Sequence, residues 1–223
     1  MANAKQLELE RLFADPALSG TTPRSLTMAP DGSRVTYLKG KAADANRLDL
    51  WQYHIKDGQH SLLVDADSLL SGTETLSDEE KARRERMRLF ASGIISYSWS
   101  KNSDALLFPL NGDLYYYELS GKAAKKLTNT SEFETDATIS PTGRYVAFIR
   151  AQNLFVLEIA SGKETQLTFD GGGEIKNGMA EFVAQEEMGR MTGYWWAPDD
   201  SKIAFTRTDE TGVAEVVRNE IYA

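Results

Sequence analysis

The 223-residue sequence contains no cysteine, only two histidines and no cluster of basic residues interleaved with aromatic ones. Without cysteine, disulfides and thiolate metal sites are excluded, but the redox compartment stays open. The formal net charge of -8 disfavours a surface that follows nucleic-acid phosphates. No apolar run approaches the roughly 18 residues that a membrane helix requires, and residues 1–16 do not resemble a signal peptide. We therefore predict neither a nucleic-acid partner nor a membrane partner.

A repeated strand pattern dominates the rest of the chain. Four segments each consist of a short apolar strand, a turn of the Pro-Asp-Gly type and a second strand. These segments are Leu26–Tyr37, Ser96–Phe108, Ala137–Phe148 and Tyr194–Phe205. A third strand is predicted after each, at Asp49–Ile55, Asp113–Leu119, Asn153–Ile159 and Val213–Val217. A fourth strand follows in the first three units, at Ser61–Val64, Ala123–Leu127 and Glu164–Leu167.

Four antiparallel strands per unit, at a basic period of about 40 residues, are typical of β-propeller blades. A single blade cannot bury both faces of its sheet, so neighbouring blades must stack around an axis. The predicted fold is mainly β, a partial β-propeller of about four four-stranded blades with two helical insertions; coincidental turns in a generic all-β domain are the alternative. The predicted blades are about 24–67, 93–130, 135–169 and 193–223, and the insertions about 68–92 and 171–192. Because the last unit stops before an outer strand, we expect the chain to be the front part of a longer protein.

A lead-in segment, residues 1–23, precedes the first blade. Its apolar residues Leu7, Leu9, Leu12 and Phe13 suggest a short helix that packs against the wall of the propeller.

The first insertion is predicted to be helical, because Ser77–Glu80 provides an N-cap and an acidic first turn. Basic residues then follow closely, and they include Arg83, Arg84 and Arg86. In one interpretation, Glu79 with Arg83 and Glu80 with Arg84 form surface pairs at helical spacing. In the other, an arginine leans over a pore and donates hydrogen bonds to a ligand carbonyl or carboxylate.

The second insertion begins with Gly171–Gly173, which lacks the Lys-Ser or Lys-Thr of a phosphate-binding loop and is better explained as a flexible entry. A helix is predicted over Asn177–Arg190. Its buried side is expected to comprise Met179, Phe182 and Val183.

Two adjacent carboxylates, Glu186 and Glu187, stand near the end of this helix. Neighbouring helical residues point about 100° apart, so the pair can serve one ligand only at a helix end or kink, which Gly189 supplies. A fixed pair of carboxylates would bind a cation. The alternative is a solvated helix face.

Other candidates for chemistry are weak. His54 and His60 have no acidic or thiol companions at metal-ligand spacing, so a structural role is predicted for both. No Gly-x-Ser-x-Gly elbow occurs, and no serine has an obvious base. We predict no catalytic residue, metal site or cofactor in this chain.

The second insertion resembles a motif of a known family. Phe182–Glu187, followed by Gly193–Pro198, is similar to the double-glutamate motif and the next Trp-Trp-x-Pro strand of the dipeptidyl peptidase IV family, which are prolyl oligopeptidase-like serine exopeptidases. Gln185 and the arginine-rich helix resemble the bacterial members and the cytosolic eukaryotic branch. Glu181 and Phe182 depart from the Asp-Trp of the cell-surface enzyme.

The resemblance implies the N-terminal part of an eight-bladed propeller, and a C-terminal α/β-hydrolase domain, absent from this chain, that carries the Ser, Asp and His triad. It implies that Glu186 and Glu187 bind the protonated N-terminus of a peptide and that Arg84 contacts the carbonyl of the penultimate residue, with Arg83 and Arg86 as rivals. The parent enzyme would release X-Pro or X-Ala dipeptides, while this chain alone would be inactive. The implied partners are a peptide with a free N-terminus, the chain's own hydrolase domain and a second copy in a homodimer. A periplasmic or secreted bacterial protein is expected, with a cytoplasmic one as the alternative.

Two other functions stay open at this point. One is a non-enzymatic propeller that binds a partner protein, since scaffold propellers use similar Pro-Asp-Gly turns. The other is a related peptidase that releases tripeptides or acyl-amino acids and holds the N-terminus differently.

Overall fold

The computed structural model describes residues 7–14, 17–18, 20–70, 74, 76, 80–81, 84–85 and 88–214. Within these residues the chain is built mainly from short antiparallel strands. The helices with complete bounds are α1 (Leu9–Phe13), α2 (Ala66–Leu69) and α3 (Phe182–Glu186). The described residues 80–81 and 84–85 of the first insertion are helical as well, as predicted.

Three four-stranded antiparallel sheets follow one another along the chain, each in simple sequential order. Blade 1 comprises β1 (Arg24–Met28), β2 (Arg34–Gly40), β3 (Arg47–His54) and β4 (His60–Val64), and β5 (Ser92–Gly93) pairs in parallel with β3. Blade 2 comprises β6 (Ser98–Trp99), β7 (Ala105–Leu110), β8 (Asp113–Glu118) and β9 (Ala123–Lys126). Blade 3 comprises β10 (Thr135–Ile139), β11 (Tyr145–Arg150), β12 (Asn153–Glu158) and β13 (Glu164–Gln166). These sheets confirm the predicted partial propeller.

The fourth unit is organised differently. Its first two strands, β15 (Tyr194–Trp196) and β16 (Ile203–Phe205), pair with each other. The next strand, β17 (Arg207–Asp209), instead pairs with β14 (Ile175–Asn177), which comes from the second insertion. The prediction of a third strand at Val213–Val217 is therefore wrong for Val213, which lies in no strand, while residues 215–217 lie outside the described part. We call these four strands blade 4.

The recurring turns explain why the strands fold back at regular intervals. The first turn residue with positive φ is Gly32 (φ 70°) in blade 1 and Gly143 (φ 79°) in blade 3. The equivalent positions in blades 2 and 4 carry Ser103 (φ 60°) and Asp200 (φ 61°). Serine and aspartate adopt this conformation less readily than glycine. Their side chains, however, link neighbouring blades. Ser103 accepts a hydrogen bond from the backbone N–H of Asp31 in the turn of blade 1, and Asp200 accepts one from the backbone N–H of Thr142 in the turn of blade 3.

Apolar side chains bury the faces between successive blades. A row of aromatic and aliphatic residues of each blade packs on the aliphatic face of the blade before it. Between blades 2 and 3, for example, Phe148 and Phe155 stack at 5.6 Å and pack with Leu107 and Leu114 of blade 2. Burial of such residues is the main source of stability, at roughly 25 cal/mol for each Å² of apolar surface.

Tyrosine hydroxyls add polar links at two of the three blade interfaces. The first strands β1 and β10 each contain an irregularity where a residue has positive φ, Ser25 in blade 1 and Asp136 in blade 3. The Tyr97 hydroxyl of blade 2 donates to the Ser25 carbonyl at 2.6 Å, and the Tyr194 hydroxyl of blade 4 donates to the Asp136 carbonyl at 2.5 Å. The irregularity is thus stabilised by the next blade along the chain.

Indole groups form hydrogen bonds across the same two interfaces, between blades 1 and 2 and between blades 3 and 4. Trp99 Nε1 donates to the Thr36 hydroxyl at 2.9 Å, and Trp196 Nε1 donates to the Thr138 hydroxyl at 3.1 Å. Blade 3 has Ile139 at the matching position of its first strand, and this residue packs in the apolar cluster between blades 2 and 3. Interfaces 1/2 and 3/4 are therefore linked by hydrogen bonds from indole and phenol groups, whereas interface 2/3 has apolar residues at these positions.

The lead-in segment differs in part from its prediction. The helix exists, as α1, but none of its residues is buried. Leu9 is 71% exposed and Phe13 is 84% exposed, so the predicted packing against the propeller wall is wrong for the described residues. A five-residue helix has too few backbone hydrogen bonds to order itself strongly, and nothing in the described structure covers its apolar side.

Candidate functional site

The second insertion is a loop closed at its base by backbone hydrogen bonds. Gly193 N donates to Gly178 O, and Gly178 N donates to Thr206 O, each at 2.9 Å. The Thr206 hydroxyl donates to the Met179 carbonyl at 3.2 Å. A Cβ at Gly193 would lie 2.5 Å from both Met179 O and Thr206 Oγ1, which is closer than real Cβ atoms come. Only glycine therefore fits at Gly193, where the insertion returns to β15.

Helix α3 is fixed at both ends within this loop. The Glu181 carboxylate caps its start by accepting from Val183 N at 2.6 Å and Ala184 N at 3.0 Å. At its end, Gly189 has a φ of 61°, and Arg190 N donates to Ala184 O at 2.9 Å. Ala184 is fully buried and is the residue through which α3 packs on the loop and the blades. The orientation of α3 is therefore well determined although the helix is short.

The short helix predicted from Asn177 to Arg190 exists, but it covers fewer residues than predicted. The helix is limited to α3, and Asn177 belongs to β14, whose pairing with β17 is a long-range contact that local sequence does not reveal. The expected buried side is wrong, since Phe182 is 61% exposed and Val183 is 52% exposed. Met179 alone of the expected set packs with the core between blades 3 and 4.

Glu186 and Glu187 lie at the end of α3, as the spacing argument requires. Glu186 is the last helical residue and Glu187 is its C-cap, with φ of -101° and ψ of -32°. Both side chains are exposed. Neither carboxylate forms a hydrogen bond or an ion pair with any residue in the described part of the chain. Two adjacent carboxylates beside the negative end of a helix favour a cation.

The first strands of blades 2 and 3 lie next to each other, since β10 contacts β6. A cavity of about 220 Å³ lies between these strands, and its walls include Tyr97, Asp136 and Glu80. A second cavity, of about 30 Å³, is lined by Glu80 and Asp136 together with Gln185 and Met191. Gln185 immediately precedes the glutamate pair. Both insertions therefore contribute to the wall of the small cavity, the first through Glu80 and the second through Met179, Gln185 and Met191.

Two carboxylates hold the Arg84 guanidinium in place. Its Nε donates to Glu80 at 2.9 Å, and its Nη1 donates to Glu74 at 3.1 Å and to the Ala91 carbonyl at 3.4 Å. The Arg84 and Glu80 side chains are 9% and 5% exposed, so their pair is buried rather than on the surface. The Nη2 group makes no hydrogen bond to any residue that the structure describes. Arg84 also lines the 220 Å³ cavity.

Several predicted features of the first insertion cannot be compared with the structure. The helix-capping residues Ser77, Asp78 and Glu79 and the rival arginines Arg83 and Arg86 lie outside the described residues.

His60 contacts two tyrosines of blade 1. His60 Nδ1 is 2.8 Å from the Tyr37 hydroxyl, and its ring lies 4.8 Å from that of Tyr53. The residues that the structure describes contain no group of three His, Asp or Glu side chains that could hold a metal ion. None of the helices in those ranges has the length or apolarity needed to cross a membrane.

Sequence reasoning missed three contributors to the site. These are Glu181, which caps α3, Gly193, which closes the base of the insertion, and Glu74, which binds Arg84. We call the hydrogen-bonded base around Gly178, Gly193 and Thr206 the neck of the insertion. The first two had visible signals, because an acidic residue before a helix and a glycine before a strand are common boundary markers. Glu74 had none, since it lies ten residues from Arg84 in a segment without clear periodicity.

Comparison with known proteins identifies the family. The family model for the Dipeptidyl peptidase IV (DPP IV) N-terminal region matches residues 96–223, which is more than half of the chain. The chain belongs to this family. The matched residues include blade 2, blade 3, the described strands of blade 4 and the whole second insertion.

Individual relatives agree with this assignment. The chain is similar to a probable dipeptidyl-aminopeptidase B of Chaetomium globosum, 43% identical over 37% of this chain and 10% of the relative. It is also similar to human dipeptidyl peptidase 8, 31% identical over 55% of this chain and 16% of the relative. A probable dipeptidyl peptidase 4 of Aspergillus clavatus is 30% identical over 72% of this chain and 21% of the relative. The chain therefore spans about a tenth to a fifth of the length of these relatives.

A solved structure supports the fold. The crystal structure of Porphyromonas gingivalis dipeptidyl peptidase 4 superposes with a TM-score of 0.60 at 24% sequence identity. The superposition covers 84% of this chain and 25% of that chain.

Proposed function

We propose that this DPP IV family chain is the substrate-binding propeller portion of a serine dipeptidyl aminopeptidase that releases X-Pro or X-Ala dipeptides. Glu186 and Glu187 bind the protonated N-terminal amine of the peptide. The observation that supports the proposal is that two adjacent, exposed carboxylates stand at the end of α3, next to Gln185, which lines a cavity together with Glu80 of the first insertion. The catalytic Ser, Asp and His belong to a hydrolase domain outside this chain, which by itself is inactive.

The chemistry of the amine fits two carboxylates. A peptide α-amine has a pKa of about 7.7 to 8.0, so it is mostly an ammonium near neutral pH. Hydrogen bonds between ammonium and carboxylate groups are shorter and stronger than neutral ones. If the ammonium is held at a fixed distance from the catalytic serine, only the second peptide bond can reach that serine. The enzyme then selects the cleavage position by distance from the amine, before any preference for side chains.

The test is turnover of a Gly-Pro amide by the full-length protein. Each charge-assisted hydrogen bond is worth about 1.5 to 3 kcal/mol, so Glu186→Gln and Glu187→Gln should each lower kcat/KM by about tenfold or more. Glu174→Gln is the matched control, because Glu174 is an exposed carboxylate in the same insertion. Hydrolysis of a small ester, which has no amine to bind, should change little in either glutamate variant. Peptide turnover that survives both changes would refute the amine-binding role.

We further propose that Arg84 contacts a peptide carbonyl through Nη2, which has no hydrogen-bond partner among the residues that the structure describes. Since Glu74 and Glu80 already engage Nε and Nη1, the guanidinium would offer one donor group in a fixed orientation. Arg84→Ala should mainly raise KM in the full-length protein. An unchanged KM, in a variant that still folds, would move the assignment to Arg83 or Arg86.

The remaining partners and the compartment follow from the resemblance alone. We propose a homodimer for the full-length protein, and a periplasmic or secreted location with a cytoplasmic one as the alternative. Sedimentation of the full-length protein and cell fractionation test these two points.

A further inference from the structure

The first insertion leaves blade 1 and returns to it at one place, the end of the β2–β3 hairpin. Its outgoing limb, residues 65–70, follows β4 directly and contains α2. Its returning limb, residues 89–93, ends in β5, which pairs in parallel with the start of β3. A Cβ at Gly93 would lie 2.5 Å from the Leu48 carbonyl oxygen and 3.3 Å from the Ala66 Cβ. The two limbs therefore lie against each other where both contact β3.

An ion cluster fixes the outgoing limb at this place. The Lys41 ammonium follows β2 directly, and it lies 3.0 Å from the carboxylate of Asp49 on β3. It also lies 2.5 Å from the Asp65 carboxylate and 3.2 Å from that of Asp67, both in the outgoing limb. The Ala66 N–H donates to Asp49 at 2.9 Å. Because the Asp49 side chain is only 6% exposed, its charge needs the ammonium, and the same ammonium binds the limb.

The hairpin does not need this cluster for its own pairing. Seven consecutive residue pairs join β2 to β3, and Leu38 and Leu50 of these strands are fully buried. The specific effect of the Lys41 ammonium is therefore on the outgoing limb, which it attaches to a strand that is already held in place.

Arg84 is bound between the same two limbs. Its Nη1 donates at 3.1 Å to Glu74, four residues past the outgoing limb, and at 3.4 Å to the carbonyl of Ala91 in the returning limb. The Leu89 N–H of the returning limb donates to the Arg84 carbonyl at 2.8 Å. A guanidinium whose partners belong to both sides of the insertion keeps its direction only while the two limbs keep their relative position.

We propose that Lys41 is a positioning residue for Arg84, because its ammonium sets the outgoing limb on β3 and thereby the direction in which Arg84 offers Nη2. The inference rests on the proposed function, in which Arg84 contacts a peptide carbonyl. Lys41 is not among the described residues that line the 220 Å³ cavity beside Arg84, so it acts on the peptide through Arg84. A displaced hydrogen-bond donor weakens substrate binding, whereas a loss of folded protein lowers the amount of active enzyme and leaves KM unchanged.

The test measures kcat and KM for a Gly-Pro amide with the full-length protein. Lys41→Met takes the ammonium away from Asp49 and Asp65, and it should raise KM by about fivefold while kcat changes by less than about twofold. Lys41→Arg keeps a cation in the cluster and should restore a KM close to that of the wild type. Lys126→Met is the matched control, because Lys126 also pairs with a largely buried aspartate, Asp113 at 2.7 Å, but in blade 2. It should lower the melting temperature without raising KM.

A second variant decides the matter if Lys41→Met does not fold. Asp65→Asn keeps an oxygen for the Asp67 N–H, which donates at 2.9 Å, but removes the charge closest to Lys41. It should raise KM by about twofold to threefold. Neither change should raise KM further in an Arg84→Ala background, because the two residues act in series.

Two results would overturn the positioning role. One is a wild-type KM in every variant of Lys41 and Asp65 that folds, and the other is an equal rise in KM with and without Arg84. The proposed contact between Arg84 and the peptide fails separately, if Arg84→Ala by itself leaves KM unchanged.

Discussion

The ion pairs of Arg150, at the end of β11 in blade 3, allow a quantitative prediction. Arg150 is 9% exposed, and it donates from Nε to Glu134 at 2.6 Å and from Nη1 and Nη2 to Glu164 at 2.7 and 2.8 Å. The guanidinium also lies over the rings of Phe148 and Phe155, at 5.1 and 4.8 Å from the ring centroids. The perturbation is Arg150→Met, which keeps an unbranched apolar stem over the rings but removes the charge.

The magnitude follows from the burial of the carboxylate that remains. The Glu134 side chain is 0% exposed, so the substitution leaves a buried carboxylate without its cation. Hydroxyls of Thr128 and Thr130, each 2.8 Å away, still donate to it, but they supply no compensating charge. Breaking a buried pair by removing one partner typically costs about 3 to 5 kcal/mol. We expect Arg150→Met to lower the free energy of unfolding by this amount.

The assay is urea unfolding at pH 7, followed by tryptophan fluorescence and by far-UV circular dichroism. Arg144→Met is the control, because Arg144 is 64% exposed and lies 3.9 Å from Glu158, a pair worth less than about 1 kcal/mol. Adding Glu134→Gln to Arg150→Met should recover most of the loss, since it removes the uncompensated charge. If Arg150→Met costs no more than Arg144→Met, or if the two changes in the double variant are simply additive, the reasoning is wrong.

Three further predictions concern the links between blades and the neck of the insertion. Burial raises the pKa of Tyr194 well above its ordinary value of 10.0. The protonated phenol therefore stabilises the fold below about pH 10, and this contribution is lost as the pH rises further. Tyr194→Phe should accordingly make the melting temperature fall less steeply above about pH 10. Gly193→Ala should make the second insertion susceptible to limited proteolysis because its Cβ would collide with the neck, whereas Gly121→Ala, which has room for a Cβ, should not. Trp99→Phe and Trp196→Phe should each lower the free energy of unfolding by about 1 kcal/mol, measured by urea unfolding, because each removes one indole hydrogen bond across a blade interface.

The blades could be predicted from sequence because their signals are local. A turn that needs positive φ, at Gly32 or Gly143, fixes where two strands fold back. Continuous apolar runs mark the middle strands of the blades, which are buried on both faces. The strands β8 and β12 accordingly begin at the predicted residues, Asp113 and Asn153. The pairing of β14 with β17 joins segments about 30 residues apart, so no local sequence pattern predicts it.

The interior of the second insertion could not be predicted for a different reason. The apolar residues Phe182 and Val183 were expected on the buried side because apolar residues in helices usually pack inward. A helix of a single turn, however, is oriented by its caps and by whichever residue can approach the neighbouring backbone most closely. Here that residue is Ala184, whose small side chain is fully buried. The position of the glutamate pair at the helix end could be predicted, because it depends only on Gly189 and the spacing.

The placement of the candidate site depends on the interface between blades 3 and 4. Tyr194 follows Gly193 directly, so the residue that closes the insertion is bonded to the residue that links blade 4 to blade 3. The Tyr194 hydroxyl lies 2.5 Å from the carbonyl of Asp136, and Asp136 lines the cavity that Gln185 also lines. Hydrogen bonds therefore connect the base of the insertion to the blade interface, and Gln185, next to the glutamate pair, lines the same small cavity as Asp136. A substrate amine bound at Glu186 and Glu187 would be held relative to blade 3 by these bonds, which a distance-based choice of cleavage position requires.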